Sequence, residues 1–212
     1  MSQVLTFDEA SHSYRLDGEL IPGVTSVLAP LSSYGDVPRE ILEAAARRGT
    51  HVHRAVELIA QDRLDWSTVD EDHYGYLEAF MTFCDRMKPE FIANEKRTFH
   101  PVLKYAGTLD MELVLHGKPK AKLAVLDVKS CVQVMPTTGP QTAAYQAAEN
   151  AHRKAASDHI KERYALRLGK DGSFDLIPYA SSPLNDLNDF MACLRLLRFQ
   201  QRNHRFYQEL AA

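Results

Sequence analysis

Eight residues near the middle of the chain, Leu123-Ala124-Val125-Leu126-Asp127-Val128-Lys129-Ser130, limit its possible folds more than any other segment. Their apolar run reads as a buried strand, yet it carries a carboxylate and an ammonium. Strand residues two apart share a face, so Asp127 and Lys129 point the same way, with Val125 behind them. Burying a charge is costly unless it is paired or holds a metal. The pair is therefore either a structural ion pair or part of a site for a hard divalent cation with a lysine beside it. Upstream, Gly107-Thr108-Leu109-Asp110 places a second carboxylate on another strand. There Leu109, Met111, Leu113 and Leu115 are expected to face one way, and Asp110 and Glu112 the other. Mg²⁺ keeps several waters and uses few protein ligands, so two carboxylates are a sufficient start.

The surrounding pattern predicts one α/β domain over residues 1–212. It comprises an N-terminal hairpin and short helix (1–37), a core (38–180) and a C-terminal helix (181–212). His12 to Ile21 reads as a hairpin turned at Asp17-Gly18, followed by a short helix after Pro22-Gly23. Pro38 opens a helix to about Gln61, with Ile41, Ala45, Val52, Val56 and Ile59 at helical spacing. On it Gly49, His53 and Glu57 recur every four residues and so share a face. Gly49 costs about 1 kcal/mol of helix propensity relative to alanine, which suggests that another backbone passes close by. A second helix is expected from Tyr74 to Lys88, then a strand from Phe91 to Phe99 with Glu95 inside it. The strands of Asp110 and Asp127 follow, joined by a turn at His116-Gly117-Lys118-Pro119. An alanine-rich helix from Pro136 to about Ser157 presents Gln141 and Tyr145 on one face. A hairpin over 164–177 carries Arg163 and Arg167 opposite Tyr164 and Leu166. The last helix runs from about Pro183 to Leu210, with Arg195, Arg198, Arg202 and Arg205 forming a basic ridge.

Composition excludes several classes. No apolar run approaches the ~18 residues that cross a bilayer, and Met1-Ser2-Gln3-Val4-Leu5 lacks the basic and apolar regions of a signal peptide, so a soluble cytoplasmic protein without membrane partners is expected. Cys84, Cys131 and Cys193 are too few and too scattered for a disulfide framework or a thiolate metal cluster. No Gly-x-x-x-x-Gly-Lys-Ser/Thr segment is present, so no nucleotide cofactor is expected. The net charge of −3 hides an asymmetry: residues 1–72 hold 6 Lys/Arg against 13 Asp/Glu, whereas residues 153–212 hold 10 against 7. A polyanion would meet a local surface toward the C-terminal half rather than the whole molecule.

The order of these residues carries more than any one of them. Gly-x-x-Asp at 107–110, Asp-x-Lys at 127–129 on an apolar strand and Gln-x-x-x-Tyr at 141–145 on the next helix resemble the RecB-like branch of the PD-(D/E)XK nucleases. This branch includes phage and CRISPR-associated exonucleases and a mitochondrial genome-maintenance exonuclease. The upstream helix Gly49-Thr50-His51-Val52-His53 fits as well, since a histidine four after the glycine is a metal ligand in that family. His12-x-Tyr14 and Pro22-Gly23-Val24-Thr25 look like the start of phage members.

The resemblance implies a mixed central β-sheet flanked by helices, of restriction-endonuclease-like core, and a metal-dependent deoxyribonuclease, with exonuclease favoured over endonuclease. Its setting would be DNA recombination, repair or replication, and its source a phage. It implies that His53, Asp110, Asp127 and the Val128 backbone carbonyl hold one or two Mg²⁺ or Mn²⁺ ions. Lys129 would position the attacking water, and Glu95 would support the metal or orient a ligand. Gln141 and Tyr145 would position the DNA strand, with Glu57 behind His53 or paired to a neighbouring arginine. Arg163 and Arg167 are candidates for contact with the DNA backbone. Some relatives bind an iron–sulfur cluster through four cysteines, a number and spacing lacking here, so no cluster is expected. A helicase, annealing or single-strand-binding protein would be the partner if unwinding is needed. Two alternatives stand beside this reading: an inactive DNA-binding adaptor on the same fold, and a hydrolase of small phosphoesters.

Overall fold

The computed structural model describes residues 3–32, 35, 37–180 and 184–203. A five-stranded mixed sheet is built from β4 (Pro89–His100), β5 (Tyr105–Leu115), β6 (Leu123–Lys129), β7 (Glu162–Leu168) and β8 (Phe174–Pro178), in that spatial order. β6 and β7 run parallel and every other neighbouring pair is antiparallel. The parallel pair needs a crossover, supplied by α4 (Thr138–Ala151).

Helices cover both faces. On one face, α2 (Arg39–Ala60) and α3 (Tyr74–Met87) bury Val52, Val56, Leu77, Phe80 and Phe83 against Met111, Leu113, Leu126, Val128 and Leu166. On the other, α4 joins α1 (Val24–Leu28) and α5 (Leu184–Arg202) around Tyr105, Leu109, Val125, Tyr145 and Phe190. The helix boundaries follow local chemistry. Pro38 caps the start of α2, where its missing N–H is no loss. Lys88, in the left-handed region at φ 45°, ends α3 one residue before Pro89 starts β4.

The N-terminal segment folds as a small antiparallel sheet of β1 (Leu5–Asp8), β2 (Ser13–Leu16) and β3 (Glu19–Ile21). Asp17 and Gly18, at φ 53° and 84°, make the tight turn that matches strand twist. The sheet packs through Tyr14, Leu16 and Ile21 on Ala106 and Phe99, and the Ala106 N–H donates to the Pro22 carbonyl. This docking carries the N-terminal segment to the edge of the strand that bears Asp110. None of the described helices is long and apolar enough to cross a membrane.

Candidate active site

The site arises where the regular sheet gives way. The β5–β6 ladder reaches Met111↔Leu126 and stops one pair short of Asp110 and Asp127. In place of the next rung, the Val128 N–H donates to Asp110 Oδ2 at 2.6 Å. Alternation along β5 breaks at the same point. Leu109 packs with Val24, Val125 and Tyr145, whereas Met111, Leu113 and Leu115 pack on the opposite face. The expectation that all four share a face is thus corrected, and Asp110 and Glu112 part company as well.

On the other flank, Glu95 lies opposite Asp110, between the pairs Asn94↔Met111 and Lys96↔Leu109. Its φ of 46° is a left-handed conformation that non-glycine residues seldom adopt. A break of this kind re-aims a side chain out of the strand's alternation. Glu95 Oε1 lies 3.9 Å from His53 Nδ1, and Asp110 Oδ2 lies 3.6 Å from the same nitrogen. One ligand atom from each of His53, Glu95 and Asp110 falls within 4.8 Å of the others. His53 reaches the cluster from α2, which is fixed to the end of β6 by a hydrogen bond from Arg48 Nε to the Ser130 carbonyl.

Asp127, at 1% exposure, is not one of these three, but Asp110 and His53 are near enough to act on its charge. Neither of its oxygens has a well-formed hydrogen bond among the described residues; Lys129 Nζ, 2.6 Å from Oδ2, is its ion-pair partner. Burial lifts the Asp127 carboxyl to about 6 against the pull of Lys129. Burial likewise disfavours the Lys129 ammonium, but Asp127 and Asp110 outweigh it and hold the lysine above its ordinary value. Burial also opposes a charged His53, yet Asp110, with Glu95 and Asp127 behind it, raises the imidazole to about 9. The cluster is therefore an excess of carboxylate held partly in check by a lysine and a histidine. Two part-exposed carboxylates converging on a histidine nitrogen are a donor set that a hard divalent cation takes, and His53, Glu95 and Asp110 fit one; Asp127 falls outside the set of ligand atoms that lie within 4.8 Å of one another.

Other expected residues sort differently. Gln141 Oε1 is 3.5 Å from Lys129 Nζ, on the wall of the site. Tyr145 is buried among the α1, α4 and α5 core and presses on β5 so closely that a Cβ at Gly107 would lie 2.6 Å from its ring. Its packing role is plain, while its hydroxyl sits beside Gln141, and burial pushes its pKa far up. Val128 meets the cluster through its N–H. Glu57 pairs with Arg54 and accepts from Gln61 rather than supporting His53. Arg167 is tied to Asp175 at 2.7 Å and is only partly covered.

Arg163 requires correction as a DNA contact. It is 1% exposed, and its guanidinium donates to the Gly139 and Ala180 carbonyls, Thr142 Oγ1 and Asp186 Oδ2. It is a strut joining β7 to α4 and α5. On α5, Arg195 and Arg202 are exposed while Arg198 turns inward to the Leu103 carbonyl, so the ridge is interrupted; Arg205 and Pro183 lie outside the described residues. At Gly49 a Cβ would meet nothing within 4 Å, so no backbone passes there.

A second charged group had no sequence signal. Glu112 and Glu149, both nearly buried, share Lys96 and Arg153. The four come from β4, β5, α4 and the residues just after α4, and they hold α4 against the strand of Asp110. Their opposite charges become visible as partners only once the helix is docked.

Compared with known proteins, the chain matches no family model and no curated protein.

Proposed function

We propose that the chain is a metal-dependent DNA nuclease with a PD-(D/E)XK-type core, cutting phosphodiester bonds by direct attack of water, and working as an exonuclease. The observation that carries this reading is Asp127: a buried carboxylate whose Oδ2 is paired to Lys129 and whose Oδ1 has no partner among the described residues, close enough for Asp110 and His53 to act on its charge, while Asp110 and His53 converge with Glu95. A structural ion pair alone gives no reason for three further ligand atoms to converge next to it. His53, Glu95, Asp110 and Asp127 would hold a Mg²⁺ or Mn²⁺ ion, one or two in number. Such an ion, when bound, supplies Lewis acidity that makes a bound water nucleophilic near neutral pH and offsets charge on the phosphate.

The chain's own residues do the rest. Lys129, kept cationic by Asp127 and Asp110, orients the water and stabilises negative charge as it develops on the phosphoryl oxygens. Gln141 fixes the lysine's position through its side-chain amide oxygen. The setting that suits this activity is DNA recombination, repair or replication, with unwinding left to a partner. The exonuclease part rests on the resemblance to RecB-like exonucleases and is tested by digesting end-labelled linear DNA and covalently closed circular DNA side by side with Mg²⁺ and with EDTA. Loss of label from linear DNA in Mg²⁺ alone is expected. Equal cutting of both forms would make it an endonuclease, and no cutting of either, whether supplied as single strand or as duplex, would overturn the reading.

A further inference from the structure

A cleft of about 640 Å³ opens beside Lys129 and Gln141. Its walls come from α1 and the turn after it (Thr25, Leu28, Ala29, Ser32), from α2 (Leu42, Ala45, Ala46) and from the β6–α4 connection (Cys131, Gln133, Met135, Thr137). We infer that this cleft is a nucleobase pocket, which takes an unpaired base of a DNA strand whose phosphate lies at the His53–Asp110–Asp127 cluster, so that single-stranded ends are the substrate. The inference rests on the nuclease reading for the position of the phosphate and adds the form of the DNA.

Three features support it. The cleft is within the ~300–1,000 Å³ range that buries a small-molecule-sized group, the scale of a nucleoside. Its chemistry suits a base rather than a backbone: Leu28, Leu42, Ala45 and Met135 offer apolar contact for a flat ring, and Lys129 at its inner end is its sole cation among the described lining residues. A groove that tracks phosphates would instead carry several lysines or arginines.

The polar groups of the cleft are the third feature. Thr25, Gln133, Thr137 and Gln141 present hydroxyls and side-chain amides among the apolar walls. Such donors and acceptors meet the Watson–Crick edge of a base that has been unstacked and unpaired. In a duplex those edges are already taken. Because Lys129 and Gln141 belong to both cleft and site, a base seated here leaves its phosphate next to the carboxylates.

The test reads binding without turnover, in Ca²⁺, by fluorescence anisotropy. A labelled single-stranded 12-mer, on the order of the site sizes of strand-binding grooves, is compared with a blunt hairpin duplex of the same sequence. Wild-type chain is expected to bind the single strand at least tenfold more tightly. Ala46→Trp and, separately, Ala45→Phe fill the cleft from α2, where both positions are partly or fully exposed and tolerate bulk. Each is expected to lose that preference, tenfold or more on the single strand, with duplex binding and Mn²⁺ affinity unchanged. Single-strand binding at wild-type strength in whichever variants melt cooperatively and still bind Mn²⁺, or a wild-type preference for duplex, would overturn the inference. A wild-type chain that holds single strands in Ca²⁺ but never cuts them in Mg²⁺ would instead refute the nuclease reading and leave the pocket standing.

Discussion

Divalent-ion binding should be coupled to release of a proton from His53, by an amount that follows from how far its neighbours raise the imidazole. With Asp110 Oδ2 at 3.6 Å and Glu95 Oε1 at 3.9 Å, the imidazole is raised from 6.5 to about 9 in the metal-free chain. A metal takes only the neutral ring. At pH 7, two units below that pKa, about one ring in a hundred is neutral, so almost every binding event must expel a proton. Apparent Mn²⁺ affinity should therefore rise about tenfold per pH unit from 7 to near 9, then level off. Stability of the metal-free chain runs the other way. A raised histidine pKa stabilises the fold fully below pH 6.5, and the benefit is lost as pH climbs through about 9; the rise from 6.5 to about 9, at ~1.4 kcal/mol per pH unit, gives ~3.5 kcal/mol. The Asp127 shift has the same sign in a lower window: with its carboxyl raised from 3.8 to about 6, stability falls as pH rises between those values. Calorimetric titration with Mn²⁺ at pH 7, 8 and 9, in buffers of contrasting ionisation enthalpy, measures affinity and protons released together. Close to one proton per ion at pH 7 is expected, and His53→Ala should abolish both the release and most of the affinity. Tight binding that is independent of pH and releases no proton would refute His53 as a ligand.

Two further outcomes test the parts around the site. Arg163→Ala removes a buried guanidinium that pairs with Asp186 and makes three further hydrogen bonds; because Asp186 is part-exposed, the cost lies at the low end of that for a broken buried pair, about 3 kcal/mol. At ~2–4 °C per kcal/mol for a chain of this size, thermal melting should fall by roughly 10 °C while the salt dependence of DNA binding stays the same. A weaker salt dependence with an unchanged melting point would restore Arg163 as a phosphate contact. Gly49→Ala should stabilise α2 by about 1 kcal/mol, since its Cβ enters open space; denaturant unfolding with an unchanged slope checks this, and a destabilised variant would show that some group does need that space.

The elements most legible in the sequence were those whose pattern is local. The period of α2 and its opening proline, the Asp17-Gly18 turn and the apolar run of β6 each carry their own signal, and each stands within a residue or two of its expected bounds. β1 was not anticipated, since four residues ending in a turn offer too short an alternation to separate a strand from a loop. What failed was what only packing decides. Arg163 alternates with apolar neighbours as a surface arginine would, and nothing nearby announces that Gly139, Ala180 and Asp186 will enclose it. Leu109 obeys the two-residue period of its strand on paper, but it packs in the other core, next to the break in β4 at Glu95 and the point where the β5–β6 pairing ends. That same departure from regular pairing brings Glu95, Asp110 and His53 together. The resemblance to the nuclease family named these residues as candidates, and the irregular backbone that brings three of them together left no trace in the sequence pattern.

The central claim is that Asp127 and Lys129 serve hydrolysis rather than holding each other in place. The most direct measurement is Mg²⁺-dependent release of nucleotides from end-labelled DNA by wild type, Asp127→Ala, Lys129→Ala and the double variant, each shown to be folded by thermal melting. Wild type is expected to degrade the DNA, and all three variants to be inactive, with Lys129→Ala still binding Mn²⁺. Undiminished degradation by the folded double variant would contradict the account.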